Sequence, residues 1–242
     1  MHVLEIDKVS ARYGKHEVLN SVSLSVARGR WFCLLGPNGV GKSTLLHCIS
    51  GRVPVATGEV RIGGHSLVGS PAEAKRGLGY ACTPEQLPGL LTGRQCLEVY
   101  AIAKGLDCIE PEVVALADEL SFTPFMDRFV DTYSLGTRQK LCVLLALLGR
   151  PDVIVLDEAF NGLDPYSALT LKQHLRQRLE AGHYGVLLAT HSLDIVEHYA
   201  DSAMLLLDGK VAKHWEQEDM ERLKRAGAEA LESALAAASR VG

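Results

Sequence analysis

Gly36-Pro37-Asn38-Gly39-Val40-Gly41-Lys42-Ser43-Thr44 is the stretch on which the fold turns. It fits G-x-x-x-x-G-K-[ST], the spacing of a loop whose backbone N–H groups close around phosphate oxygens. Glycines permit that close approach, and a following helix start adds positive potential for an anion. With glycine near 7% of residues, four fixed positions coincide by chance in about one chain of this length in a hundred. Context narrows the odds further. Trp31–Leu35 is continuously apolar, as in a strand covered on both faces, and residues 42–49 read as a helix. In that setting Lys42 reaches the β- and γ-phosphates of a nucleotide and Ser43 ligates Mg²⁺.

Beyond the loop, VIVLDE (residues 153–158) delivers an acid to the end of a short buried strand, where open parallel sheets place their ligands. Asp157 is placed to hold Mg²⁺ through its water shell and Glu158 to polarise the attacking water. The competing reading is an acidic helix cap after a core strand. Upstream, SVSLSV (residues 21–26) alternates with period two, Arg28-Gly29 turns the chain, and residues 59–62 before Gly63-Gly64 look like half a hairpin. Antiparallel strands are therefore expected beside a parallel core.

Between residues 84 and 149 the pattern is helical. Thr92-Gly93-Arg94-Gln95 is a capping box for a helix that stops near Gly105, Pro111 fits the first turn of a second, and Ser134 opens a third that ends near Gly149-Arg150-Pro151. Strand signals return at residues 153–156 and Gly185–Ala189. A helix after Asp164-Pro165 closes at Gly182, a short helix follows Ser192, and residues 204–213 suggest a last hairpin. The expectation is one domain, with residues 1–83 and 150–215 as core and β subdomain, 84–149 as an inserted helical lobe, and 216–242 as a helical, surface-bound tail.

Composition excludes several classes. The 242 residues are 47% hydrophobic, enough for a full core, and 25 basic against 29 acidic residues leave a net charge of −4. No basic cluster marks a nucleic-acid partner. The six cysteines are scattered without C-x-x-C spacing, as reduced and mostly buried thiols of a cytoplasmic protein. Eight of the nine histidines show no ligand spacing, so no metal centre is expected of them. MHVLEID lacks the pattern of a signal peptide. The longest apolar run, residues 141–149, is half of the roughly 20 residues a membrane helix needs. The chain is expected to be soluble, with any membrane role reached through a partner.

GPNGVGKST, YSLGTRQKL, VIVLDEAFNGLD and LLATHS stand in the order found in ATP-binding cassette (ABC) ATPases, and the chain resembles that family to about Lys210. It is most similar to the stand-alone ATPase subunits of bacterial exporter-type transporters. The resemblance implies an α/β fold: a P-loop NTPase (RecA-like) core with an antiparallel β subdomain and an inserted α-helical subdomain. It implies ATP and Mg²⁺ as cofactors, a second copy or a related ABC ATPase as partner, and an integral membrane permease. The place implied is the cytoplasmic face of the cell membrane.

Residue roles follow from the same resemblance. Two cassettes face head to tail, and Ser134 with the amide of Gly136 contacts the γ-phosphate held by the other cassette's Lys42. Leu135 replaces the family's first glycine and Thr137 its usual glutamine, which bears on turnover rate. His191 matches the switch histidine that hydrogen-bonds the γ-phosphate, and Asn161-Gly162-Leu163-Asp164 the loop that crosses the dimer interface. Tyr13 sits where an aromatic ring stacks on adenine, although a strand tyrosine packed on its neighbours is a fair rival. Thr83 occupies the place of the glutamine that senses Mg²⁺ and the attacking water. Its hydroxyl has a shorter reach, which implies weaker coupling to the lobe; Glu85 or Gln86 serve there only if the loop is rearranged.

Two other classes compete. A non-transport ABC ATPase acting in DNA repair, translation or cofactor assembly usually carries tandem cassettes, a coiled coil or basic insertions, none of which is written here. A small-metabolite P-loop kinase has no use for YSLGTRQKL or for His191 in its ordered place.

Overall fold

The computed structural model describes residues 1–239; residues 240–242, the end of the expected tail, lie outside the described residues. The chain opens with two twelve-residue strands, β1 (His2–Tyr13) and β2 (His16–Ala27), paired antiparallel. β3 (Trp31–Leu35) runs through the phosphate loop into α1 (Lys42–Ser50). β4 (Thr57–Ile62) turns over Gly63-Gly64 into β5 (His65–Ser66), completing a sheet of order β2-β1-β4-β5. α2 (Pro71–Arg76) and β6 (Leu78–Tyr80) lead through a 3-10 turn to three helices, α3 (Gly93–Ala103), α4 (Pro111–Glu119) and α5 (Leu135–Leu147), with two further 3-10 turns between α4 and α5. Then follow β7 (Val153–Asp157), α6 (Pro165–Glu180), β8 (Gly185–Ala189), α7 (Leu193–Tyr199), β9 (Ser202–Leu207), β10 (Lys210–Trp215), α8 (Gln217–Ala226) and α9 (Ala228–Ser239).

The second sheet has the order β10-β9-β3-β8-β7-β6 and is parallel except for the antiparallel edge strand β10. Period-two alternation assigns each of its side chains to one of two cores. Phe32 and Leu34 of β3, with Val153, Val155 and Leu187, pack towards α1 and the antiparallel sheet. Trp31, Cys33 and Leu35, with Ile154, Leu156, Val186 and Leu188, pack towards α3 to α7. All five residues of β3 are buried because both faces are covered. Each such aliphatic side chain contributes roughly 1.5–3 kcal/mol on burial. The result is an α/β core with an antiparallel sheet on one side and helices inserted after β6, as the sequence implies.

The helix starts are as expected. Thr92 and Gln95 form the reciprocal capping box of α3, Ser134 Oγ accepts from Thr137 N at 3.2 Å, and Asp164 accepts from Ser167 N at 2.9 Å. Three elements had no clear signal. β1 buries Val3 and Leu4 consecutively and is broken by register shifts near Lys8, whose φ is +47°, so its alternation is scrambled. α2 and β6 are only six and three residues long. Gly79 in β6 is demanded by packing, not by a turn: a Cβ there would stand 2.1 Å from the Ala146 carbonyl oxygen of α5.

The tail is helical but more than surface-bound. Trp215, Met220 and Leu231 are buried in the same core as Trp31, and α8 and α9 cover β9 and β10, with α9 also against α7. Lys104, at the end of α3, donates from Nζ to the carbonyls of Lys75 at 2.9 Å, Arg76 at 3.3 Å and Leu78 at 2.6 Å, clasping the inserted helices to α2 and β6. Among the described residues no helix is long and apolar enough to cross a membrane.

Candidate active site

Parallel pairing brings the functional loops to one end of the sheet. Asp157 at the end of β7 and Leu34 near the end of β3 both pair with Ala189 at the end of β8. Thr190 N then donates to Leu34 O at 3.1 Å, and Glu158 N to Ala189 O at 3.0 Å. The phosphate loop, the Asp157-Glu158 acids and the Thr190-His191 turn therefore share a rim, the end where open parallel sheets hold ligands.

The loop's glycines are sterically required. Gly36 has φ +152° and a Cβ there would lie 2.5 Å from Leu206 O; Gly41 has φ +108° and a Cβ would meet Leu19 Cδ2 at 2.8 Å. Gly41 is also the left-handed residue that precedes α1, so the first N–H groups of that helix point into the loop. Lys42 is buried and donates from Nζ to Gly36 O at 2.6 Å and Pro37 O at 2.9 Å. Val40 O accepts from Gly209 N at 3.1 Å, which ties the loop to the β9–β10 turn.

Residues 38, 39 and 41–44 line a cleft of about 460 Å³ together with Asp157 and Glu158. Ser43 thus faces Asp157 across the same space. A hydroxyl and a carboxylate are hard oxygen donors, the set Mg²⁺ takes alongside waters and phosphate oxygens, so these two residues fit that ion. Among the described residues no cluster of three or more His, Cys, Asp or Glu side chains could hold a metal by itself. Thr83, the third expected ligand, is not in the cleft lining.

Glu158 is the most constrained residue of the rim. Its backbone is left-handed, φ +48°, which is costly for a non-glycine residue and turns the side chain back over the cleft. His191 Nδ1 stands 2.8 Å from Oε1, Asn161 Nδ2 donates to Oε2 at 3.2 Å, and Thr190 Oγ1 lies 3.5 Å from Oε2. The sequence reading assigned Glu158 and His191 separate roles and did not foresee their contact. It also missed Asn161 and Thr190 as orienting groups; the i to i+3 spacing of Glu158 and Asn161 is the only trace of one.

The remaining expected residues lie elsewhere. Tyr13 is exposed at the end of β1, paired with His16. The same hairpin reaches the phosphate loop at Val18, whose carbonyl oxygen would be 3.1 Å from a Cβ on Gly41. Ser134 is exposed, caps its own helix, and with Gly136 is absent from the cleft lining. Gly136 has a second use: a Cβ there would stand 2.6 Å from Gly162 O, so its bareness lets α5 start against the 161–164 loop. Lys140 Nζ, 3.3 Å from Asp164 Oδ2, fixes that contact. The Asp164 carboxyl is held down at about 2, first by the Ser167 hydroxyl and amide and then by Lys140. Gln86 Oε1 accepts from Arg52 at 2.5 Å and is not in the cleft lining.

A phosphate loop on a parallel sheet, an acid pair opposite it and an inserted helical segment define a P-loop nucleoside triphosphatase of the cassette type. The chain belongs to the ABC transporter family, whose sequence pattern it matches over residues 19–161. It is 33% identical to the uncharacterized ABC transporter ATP-binding protein YdbJ of Bacillus subtilis, over 86% of this chain and 68% of that one. It is 28% identical to the lantibiotic transport ATP-binding protein SrtF of Streptococcus pyogenes, over 92% of this chain and 94% of that one. The solved ATP-binding subunit of an ABC transporter superposes with a TM-score of 0.83 at 32% identity, covering 91% of this chain and 92% of the other. The chain is thus an ATP-binding subunit, an ABC ATPase.

Proposed function

We propose that this chain is the ATP-hydrolysing subunit of an ABC exporter, working head to tail with a second copy or a related ATPase. The inserted helices, residues 84–149, pass the motion of that dimer to a separate membrane permease at the cytoplasmic face. One observation carries the chemistry: the Glu158 carboxylate lies on the wall of the phosphate-loop cleft and is hydrogen-bonded to His191. The relative named for lantibiotic transport, matched over nearly its full length, supports a transporter assembled from separate chains.

Hydrolysis needs little covalent work from the protein and much positioning. Lys42 exchanges its two loop carbonyls for the β- and γ-phosphate oxygens, and the N–H groups at the start of α1 hold the rest of the triphosphate. Ser43 and Asp157 would hold Mg²⁺, which when bound would neutralise phosphate charge. Glu158 accepts a proton from the attacking water, while Asn161 and His191 fix where its oxygens point. His191 presents its other ring nitrogen to the γ-phosphate. Tyr13 stacks on the adenine, its exposed ring standing on the hairpin that borders the loop. Ser134 and Gly136 of the partner close the chamber over the γ-phosphate, and Thr83, outside the cleft lining of the single chain, would reach the ion only if its loop moved towards the cleft.

Glu158→Gln is expected to bind ATP, form a dimer visible by light scattering, and hydrolyse about 10²–10⁴-fold more slowly, the range for a lost general base. Turnover at the wild-type rate in that variant would remove Glu158 from the mechanism.

A further inference from the structure

Cys82 and Cys142 are sixty residues apart in sequence and meet in the interior with their sulfurs 3.6 Å apart. Both are buried, both are free thiols, and neither lines the nucleotide cleft. Their positions give the contact its meaning. Cys82 lies just after β6, in the stretch that leads into the 3-10 turn Pro84–Gln86 and the inserted helices. Cys142 lies on α5, about two turns along from the Ser134 cap. The packing between these elements is tight, as the close approach of Gly79 to Ala146 O shows. A disulfide needs a sulfur separation of about 2.05 Å, so the pair must close by about 1.5 Å, within reach of a side-chain rotation and a small shift of α5.

We propose that Cys82 and Cys142 form a reversible thiol–disulfide pair whose oxidation staples the entrance of the inserted helices to the helix that carries Ser134 and so arrests ATP turnover. The second half rests on the head-to-tail reading above; the first does not. The two thiols are unequally reached: Cys82 keeps a trace of exposure and Cys142 none. Cys82 is therefore the sulfur that a small oxidant meets first, and the attacking one.

Hydrogen peroxide serves as the oxidant, a molecule little larger than water. The Cys82 thiolate attacks one peroxide oxygen, the O–O bond breaks, and the departing hydroxide takes a proton to leave as water. The sulfur of Cys142 then displaces the hydroxyl from the Cys82 sulfenic acid, its thiol proton leaving with that hydroxyl as a second water. Two thiols lose two electrons and one peroxide gains them. Transient disulfides of this kind are the form expected where glutathione keeps other thiols reduced.

The test uses the full chain carrying Cys108→Ser, because Cys108 is the one exposed thiol among the described residues. Peroxide treatment followed by non-reducing peptide mapping should yield a linked pair of peptides containing residues 82 and 142. ATPase should fall about fivefold or more, the low end of ordinary coupling factors, and return with a phosphine reductant. Cys82→Ser and, separately, Cys142→Ala should each abolish both the link and the loss, so that a folding defect in one leaves the other informative. Absence of the linked peptides from treated protein overturns the proposal whatever the ATPase does. A link that forms without loss of turnover overturns the arrest. Reduced protein that never hydrolyses ATP would strike at the function proposed above, while the peptide map still decides whether the pair exists.

Discussion

The phosphate loop and the start of α5 are both glycine-containing helix entrances, yet they differ in how far one chain completes them. At the loop every feature finds its use within the chain. Lys42 is buried with two acceptors, Gly36 and Gly41 have steric reasons to be bare, and Asp157 and Glu158 face them across a cleft. At α5, Ser134 is exposed, Leu135 beside it is 57% exposed, and no residue of the cleft meets them. The lesson is that an anion-binding site can be read as complete or as half of something by asking which of its groups are spent locally. Ser134 spends its oxygen on a cap, but its exposed face remains available to a second molecule.

The contrast can be broken by mutation. Lys42→Ala should have the largest effect, lowering turnover by about 10²–10³-fold, as for loss of one charge-stabilising donor, and weakening ATP binding measured by calorimetry. Ser134→Ala should lower steady-state hydrolysis by about tenfold or more while leaving ATP affinity of the monomeric protein unchanged. It should also cost about 1 kcal/mol of stability as a lost cap, a fall of about 2–4 °C in Tm. A loss of affinity in the monomer would show that α5 completes its own chain's site, and the contrast would fail. Asn161→Ala should lower kcat about two- to tenfold with KM unchanged, the worth of one ordinary hydrogen bond, because the contact with Glu158 is solvent-exposed.

Smallest of all is a pH effect at the 161–164 loop. The Asp164 carboxyl lies at about 2 in the folded chain against about 3.9 in an unfolded one. A depressed carboxylate contributes stability that is fully present above the unfolded value and is lost as pH falls towards the folded one. The Tm advantage of the wild type over Asp164→Asn should therefore be constant above about pH 5 and close between about pH 4 and pH 2. Because Asp164 is half exposed, the advantage itself should be slight. A gap that widened in acid would mean that Lys140 and Ser167 do not hold this carboxylate.

Legibility in the sequence followed the range of the interactions. The phosphate loop, the caps at Thr92, Ser134 and Asp164 and the buried strands β3, β7 and β8 could be read because their causes lie within a few residues of each other. β6 could not, since Gly79 is fixed by a carbonyl sixty-seven positions away on α5, which local pattern does not encode. Nor could the grip of His191 and Asn161 on Glu158, which depends on the left-handed backbone at Glu158 and on the pairing of β7 with β8. The tail reads as surface-bound because its first helix sets few apolar residues among charges; Met220 and Leu231 are the ones buried among the described residues. The meeting of Cys82 with Cys142 likewise had no signature in the spacing of the cysteines.

The clasp made by Lys104 sets the geometry of any swing of the inserted helices. One ammonium, its pKa lowered by burial, gathers three carbonyls from the far side of the junction, and parting from them all at once would strand a charge in a dry place. In the swing proposed above, that corner would be the pivot pin. Points distant from it along the lobe travel furthest for a given angle, so a few degrees at Lys104 become a sweep at the opposite rim, in the way a door handle outruns its hinge.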